Sequence, residues 1–205
     1  MKKLLVINAV ALTESLIAKD TPNLKKLLEK NKSFLDAPIP AVTCSSQASI
    51  TTGTTPKEGG IVANGGYFRD LAQVWLWRQA NQLIEGEKFW DRLKEKNPDF
   101  TVAKMFWWYN MYSTANFSVT PRPIYRADGA KHPGAYSFPD SLNAELEEKF
   151  GVFPLFKFWG PMTDITSTQW IADATMHVMD TRLPNLCLTY LPHLDYNLQR
   201  LGPKD

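Results

Sequence analysis

The chain has 205 residues, of which 44% are hydrophobic and 21% charged, a composition typical of one globular α/β domain or a large part of one. Its formal net charge is +2, from 23 basic and 21 acidic side chains, so a nucleic-acid partner is not expected. A membrane partner is not expected either, because no segment approaches the ~20 consecutive apolar residues of a membrane-spanning helix.

The N-terminus is interpreted as a buried strand. Residues 4–10 (LLVINAV) form an almost continuous apolar run, which is typical of a strand in a parallel sheet. Two lysines followed by this run also resemble the start of a signal peptide. We favour the strand, because the small-residue match at residues 9–11 comes too early for a cleavage site. The expected localisation is cytoplasmic, with export as the alternative if this segment is a leader.

Predicted helices and strands then alternate along the chain. A first helix is predicted after Thr21-Pro22, and a second over residues 44–52, where Gly53 favours a C-terminal stop. Between them, an extended segment leads to Thr43, which we expect to follow a strand. Further helices are predicted over residues 87–96, 142–150 and 166–181, and further strands over residues 100–107 and 186–191. This alternation predicts an α/β fold with a mainly parallel sheet between helices.

The middle of the chain is rich in aromatic residues. Residues 109–139, with many Tyr, Pro, Ser and Asn, are interpreted as an irregular excursion, within a candidate cap that spans about residues 70–160. The seven tryptophans are Trp75, Trp77, Trp90, Trp107, Trp108, Trp159 and Trp170. Packing in the core and cap is the simpler interpretation of these residues. The alternative is an aromatic wall that stacks a nucleobase or another flat group.

The cysteines and histidines give no metal motif. Cys44 and Cys187 lie far apart in apolar or helix-forming surroundings, which favours reduced core thiols over a disulfide. His132, His177 and His193 are scattered, without the spacing of a helical or loop metal motif.

Thr43 is the first candidate for chemistry. A hydroxyl at the start of a helix meets unpaired N–H groups that favour an anion, which suits attack on a phosphoryl group. Taken alone, a capping threonine without chemistry is the simpler interpretation. The neighbouring Cys44 is a rival, because a thiolate at a helix N-terminus is a stronger nucleophile than a hydroxyl.

The context of Thr43 resembles a known family. From Pro40 the sequence reads PAVTCSSQASITTGTTPKEGGIVANGGYF. It resembles the nucleophile region of the type I phosphodiesterase/nucleotide pyrophosphatase family, in the alkaline phosphatase superfamily. In that family a Thr or Ser begins a helix that ends in Thr-Gly, followed by a Pro, Gly-Ile-Val and an Asn. Thr43 matches the nucleophile and Asn64 the asparagine that contacts the phosphate. The other matches are Thr52-Gly53, Pro56 and Gly60-Ile61-Val62.

Two further blocks agree with this resemblance. TPNLKKLLEKN, from Thr21, resembles an early helix of the family. YLPHLDYNLQRLGP resembles the segment in which an Asp, and a His four residues later, bind one zinc just before a Gly-Pro. Asp195 matches that Asp, and Gly202-Pro203 the Gly-Pro. The three blocks span nearly the whole chain in the expected order.

The sequence also departs from the family pattern. Val10-Ala11 occupies the place of a metal-binding Asp and its glycine, with Asn8 as the nearest polar residue. Gln199 replaces the zinc-binding His, and Gly59 replaces a His before Gly-Ile-Val. The family's remaining Asp-His pair and last His come later than the end of this sequence. A domain truncated at its C-terminus is therefore expected.

The resemblance implies a single alkaline phosphatase-like α/β domain over residues 1–205. It implies a metal-dependent hydrolase of phosphodiester or pyrophosphate bonds, acting through a covalent Thr43 intermediate on a small phosphate ester or nucleotide-like substrate. The implied metal is divalent, zinc in two sites, with Asp195 and Thr43 as ligands and Gln199 and Asn8 as weaker candidates. His193 is a possible displaced ligand, although it could equally cap a strand end.

Two other functions remain open from the sequence. The missing Asp and the exchange at Gln199 favour a catalytically impaired relative that binds a phosphate-bearing ligand or a protein partner. A hydrolase of phosphonate or sulfate esters, from another branch of the superfamily, is a third interpretation. The sequence does not predict the oligomeric state.

Overall fold

Nine strands are present in the computed structural model, which describes residues 2–29 and 31–202. They are β1 (Leu4–Ala9), β2 (Gly65–Phe68), β3 (Gln73–Leu76), β4 (Val102–Met105), β5 (Phe117–Pro121), β6 (Ile124–Tyr125), β7 (Lys131–His132), β8 (Ala135–Phe138) and β9 (Leu186–Leu191). Five of them form the main sheet in the order β1-β9-β4-β5-β8. The pairs β1–β9, β9–β4 and β4–β5 are parallel, and β8 joins β5 antiparallel. The predicted mainly parallel sheet is confirmed.

Eight α-helices occur in the same described ranges. They are α1 (Pro22–Leu28), α2 (Thr43–Thr52), α3 (Pro56–Gly59), α4 (Phe89–Lys96), α5 (Ser141–Phe150), α6 (Leu155–Phe158), α7 (Ile165–Arg182) and α8 (His193–Leu201). The longest, α7, packs on β9 and β4, while α5 packs on β8 and β5. None of these helices is long and apolar enough to cross a bilayer.

Apolar cores lie on both faces of the sheet, because successive side chains of a strand point to opposite sides. In β9, Leu186 and Leu188 pack with Trp90 in one cluster. The intervening Cys187 packs with Ile171 of α7 in the other. A third cluster lies under α2 and includes Cys44. Both cysteines are buried free thiols, in agreement with the sequence interpretation.

β1 lies at the edge of the main sheet, beside β9 only. A continuous apolar strand is typical of a position covered on both faces. Leu4, Leu5 and Ile7 are nevertheless exposed by 55%, 38% and 53%. As far as the described residues go, this apolar strand therefore keeps an open edge and two partly open faces.

The segment 109–139 is more regular than expected. It contributes β5 and β8 to the main sheet and the small hairpin β6–β7. The strand signal is weak because Ser118 and Thr120 are buried polar residues of β5, and Pro121 ends the strand. The extent of the cap stays a prediction, although β4, β5, β8 and α5 lie inside the range 70–160 and belong to the main sheet or its helices.

The strand expected before Thr43 is absent. Residues 31–42 contain no strand, and the chain reaches α2 in an irregular extended form. Pro38 and Pro40 lack the N–H donors that a sheet ladder needs, so pairing of this segment is disfavoured. The Ser45 hydroxyl holds the end of the segment by donating to the Pro40 carbonyl over 2.6 Å.

Candidate active site

The start of α2 is capped from outside the helix. Val42 is the N-cap residue, with φ −118° and ψ 163°, and Thr43 is the first helical residue. The backbone N–H of Cys44 donates to Asn64 Oδ1 over 3.0 Å. Asn64 therefore supplies the acceptor for one of the unpaired N–H groups at the start of the helix. The interpretation of Thr43 as an N-cap residue does not fit this geometry. At the other end, Gly53 stops the helix with φ 70°, as predicted.

One cavity of about 710 Å³ collects the residues singled out from the sequence. Its wall includes Asn8, Thr43, Asn64, Asp195 and Gln199. They come from β1, the start of α2, the loop before β2, and α8, which follows β9. The cavity thus lies at the carboxyl ends of β1 and β9, where open parallel sheets bind their ligands.

His193 stands apart from this group. It begins α8 and packs edge-on against Tyr196, with ring centroids 6.0 Å apart. It is not among the described residues that line the cavity. The structure therefore gives no support to His193 as a displaced metal ligand.

Tyr190 is a cavity residue that the sequence interpretation missed. It is the penultimate residue of β9, is only 7% exposed, and lies on the cavity wall. Burial raises the pKa of its phenol well above the usual value, against a smaller opposing effect from the Thr43 hydroxyl beside it. Asp195 raises this pKa further, so Tyr190 lies within electrostatic reach of both predicted residues. The phenol stays protonated at neutral pH and can donate a hydrogen bond.

The rival nucleophile Cys44 is turned into the protein. Its side chain is completely buried and packs with Ala48 and Ile84. Burial raises the pKa of the Cys44 thiol to about 12, against an opposing hydrogen bond from Tyr109. A protonated, buried thiol is a poor nucleophile, which leaves Thr43 as the candidate at this helix start.

The donor set of the cavity does not by itself fit zinc. Asp195 is the one carboxylate on the cavity wall among the residues that the structure describes. Gln199 donates its amide to Asp195 Oδ2. Nowhere within residues 2–29 and 31–202 do three or more His, Cys, Asp or Glu side chains gather as a metal group. Zinc prefers four ligands drawn from these anionic and imidazole groups, so two zinc sites need donors beyond those described.

Three tryptophans form an aromatic wall of the cavity. Trp77 lies 4.9 Å from Trp108 and 5.7 Å from Trp159, measured between ring centroids, and all three line the cavity. Trp90, Trp107 and Trp170 pack in the core. Trp75 lies in the hairpin β2–β3, with the Arg78 guanidinium over its ring. Trp108 also belongs to the buried cluster that includes Cys44, so packing in the core accounts for most of the tryptophans, and stacking of a flat group stays a prediction.

A buried amide network holds Trp108 in this wall. The Trp108 backbone N–H donates to Gln47 Oε1 over 2.8 Å. The next residue, Tyr109, has φ 58°, and its carbonyl accepts the Asn81 amide over 3.0 Å. Asn110 donates its amide to two strand carbonyls, at 3.1 and 2.9 Å. The backbone of this turn is thus fixed by side chains from distant parts of the chain.

Comparisons with known proteins show the family and the fold of the chain. Residues 4–205 match the family model described as Type I phosphodiesterase / nucleotide pyrophosphatase. No curated protein matches the chain significantly. Among solved structures, the chain is similar to an inactive variant of murine ectonucleotide pyrophosphatase/phosphodiesterase 5 in complex with AMP. The TM-score is 0.59 at 13% identity, over 100% of this chain and 47% of that one. The chain thus spans about half the length of that structure and shares its fold. Because the family model covers residues 4–205, the chain belongs to the type I phosphodiesterase/nucleotide pyrophosphatase family.

Proposed function

We propose that the protein hydrolyses phosphodiester or pyrophosphate bonds of small molecules, with Thr43 as its nucleophile. The observation that carries this proposal is the position of Thr43 at the first residue of α2, on the cavity wall. Asn64 performs the capping there, so the Thr43 hydroxyl is available for chemistry. Family membership supports the reaction class.

The reaction is proposed in two displacements. The phosphoryl group binds beside the start of α2, where Asn64 and the helix N-terminus stabilise its oxygens. Thr43 Oγ then forms a bond to phosphorus, the ester bond to the leaving group breaks, and the leaving oxygen takes up a proton. Water subsequently attacks the phosphorylated Thr43, releases the phosphate product and restores the hydroxyl. A divalent cation, zinc in our proposal, would stabilise negative charge at phosphorus, but Asp195 alone is too small a ligand set to hold it.

The aromatic wall supports a substrate with a flat group. Trp77, Trp108 and Trp159 line the same cavity as Thr43, so a ring attached to the phosphoryl group could stack there. The similar murine protein is described in complex with AMP. We propose a nucleotide-like phosphate ester as the substrate class.

The second candidate is a non-catalytic relative that binds a phosphate-bearing ligand or a protein partner. The missing first Asp and the exchange at Gln199 favour it, because Asn8 and Gln199 offer the cavity amides where the family resemblance expects stronger metal ligands nearby. The metal content of the full-length protein discriminates between the two candidates. Bound stoichiometric zinc supports the hydrolase, and its absence after growth with added zinc supports the binding protein.

The test of the proposed function is hydrolysis of bis-p-nitrophenyl phosphate by the full-length protein, with zinc or manganese added. We expect turnover that Thr43→Ala abolishes. The matched control is Thr55→Ala, since Thr55 caps the neighbouring helix α3 outside the cavity. Full turnover by Thr43→Ala, or none by the unmodified protein with either metal, contradicts the proposal.

A further inference from the structure

We propose that Asn8 binds the phosphoryl group of the ligand as a hydrogen-bond donor, beside Asn64, and that it is not a metal ligand. The inference rests on the proposed function, because it concerns the same cavity. It replaces the role that the family resemblance suggested for Asn8 from its place near the end of β1.

The orientation of the Asn8 amide follows from a chain of donors and acceptors. A backbone N–H can only donate, so the contact of Trp108 N–H at 2.8 Å requires the oxygen of the Gln47 amide. Gln47 must therefore turn its nitrogen toward Asn8, 2.9 Å away. Asn8 in turn must present its oxygen to Gln47, because two amide N–H groups cannot bond to each other. Gln47 is completely buried, which fixes this arrangement.

The same argument orients the Asn64 amide. The Cys44 backbone N–H lies 3.0 Å from the Asn64 side chain and requires an oxygen there. Both asparagines thus turn their oxygens away toward internal donors. Both also dock on α2, one through Cys44 and the other through Gln47. Asn64 contacts the helix backbone at its first turn and Asn8 contacts a side chain one turn later, and both asparagines line the same cavity.

The amide nitrogens of both asparagines are left open to a ligand. Neither Nδ2 has a hydrogen-bond partner within the described ranges, and neither is among the buried side-chain atoms that lack one. They are therefore accessible, and both residues line the cavity next to Thr43. Two amide N–H₂ groups suit the oxygens of a phosphoryl group, whereas they offer no lone pair to a cation. A metal ion at Asn8 would have to share the amide oxygen that accepts the hydrogen bond from Gln47.

The test is a calorimetric titration of the 205-residue protein with inorganic phosphate in the presence of EDTA. We expect measurable binding to the unmodified protein without metal. Asn8→Ala should weaken it about tenfold, because a hydrogen bond to a charged group is lost. Asn8→Asp should weaken it further, because a carboxylate repels phosphate. The matched control is Asn97→Asp at the end of α4, away from the cavity, which should leave phosphate binding unchanged.

Gln47→Glu provides a second variant that leaves Asn8 in place. A carboxylate can accept from Trp108 N–H but cannot donate to Asn8, so the Asn8 amide should turn and present its oxygen to the cavity. Phosphate binding should again weaken by about tenfold or more. Gln169→Glu, on the exposed face of α7, is the control for the added charge.

Three results would overturn the inference. They are no phosphate binding by the unmodified protein in EDTA, unchanged binding by Asn8→Asp and Asn8→Ala, or phosphate binding by Asn8→Asp that zinc strengthens beyond that of the unmodified protein. The last result would make residue 8 a metal position. If Thr43→Ala abolishes turnover while the Asn8 variants bind phosphate normally, this inference fails and the proposed function stands. If turnover is absent while the Asn8 variants lose phosphate, the hydrolase fails and the amide site stands.

Discussion

Asn64 Oδ1 accepts the backbone N–H of Cys44 over 3.0 Å, so a residue twenty positions further along the chain caps α2. The backbone carbonyl of the same asparagine accepts the N–H of Trp77 over 2.9 Å. Asn64 therefore joins the helix of Thr43, the glycine-rich loop before β2 and the aromatic wall. This connection explains why one residue can affect both the stability of α2 and the binding of a ligand.

Substitutions of Asn64 should separate these two roles. Asn64→Asp keeps an acceptor for Cys44 N–H, so the urea midpoint should change little. Asn64→Ala removes the acceptor and should cost about 1 kcal/mol of unfolding free energy. Both variants lack the amide donor, so both should bind inorganic phosphate at least about tenfold more weakly. Equal destabilisation by Asp and Ala would show that the capping contact is unimportant.

Cys44 should be inert as a nucleophile. Burial raises the pKa of its thiol to about 12, so the thiolate is scarce at neutral pH. Iodoacetamide at about pH 8 should therefore label Cys44 only in urea, as judged by mass spectrometry. Cys44→Ala should retain phosphodiesterase turnover and lose about 1 kcal/mol of stability, since a small buried group is removed. Rapid labelling in the folded state, or loss of turnover in a folded Cys44→Ala variant, would contradict this assignment.

Trp159 should contribute to the binding of aromatic substrates. It lies on the cavity wall, is 40% exposed, and packs edge-on against Trp77. Trp159→Ala should raise KM for a p-nitrophenyl ester about tenfold, because stacking is lost, with a smaller effect on a methyl phosphodiester. Trp75→Ala, in the hairpin outside this cavity, is the control. Equal effects of Trp159→Ala on the two esters would argue against stacking.

The local sequence pattern predicts some elements well. β9 has the bounds expected from its apolar run, residues 186–191, and α7 differs by one residue at each end from the expected 166–181. The stripe of Ile171, Ala174 and Val178 is buried in α7 as its spacing predicts. β5 and β8 were missed because their buried positions include Ser118 and Thr120 in β5 and Ser137 in β8, whose polarity resembles that of a loop.

The residues of the site also divide into those that the sequence predicts and those that it misses. Thr43 and Asn64 could be proposed because a continuous motif contains both. Gln47 and Tyr190 could not, because their roles depend on contacts between segments that are distant in sequence. Gln47 touches β1 on one side and Trp108 on the other, 39 and 61 residues away. Periodicity reports which face of an element is buried, but it carries no information about such partners.

Lys104 should make the stability of the protein depend on pH in the alkaline range. Its side chain is buried, and its ammonium donates to the Tyr109 carbonyl over 2.8 Å. Burial lowers the pKa of Lys104 to about 7, with a smaller contribution from Lys88, from an ordinary value of 10.5. Between these values the unfolded chain holds a proton that the folded chain has released, so stability rises with pH, by up to about 1.4 kcal/mol per unit.

Lys104→Met should remove much of this rise while preserving the Tyr109 carbonyl contact, which Asn81 also makes. Urea midpoints measured between about pH 7 and pH 9 provide the test, because the stabilisation is lost as the pH falls toward the folded-state pKa. Lys57→Met, on the exposed surface of α3, should keep the same slope as the unmodified protein. A Lys104→Met variant with an unchanged pH dependence would mean that the Lys104 ammonium stays charged in the folded protein throughout this range.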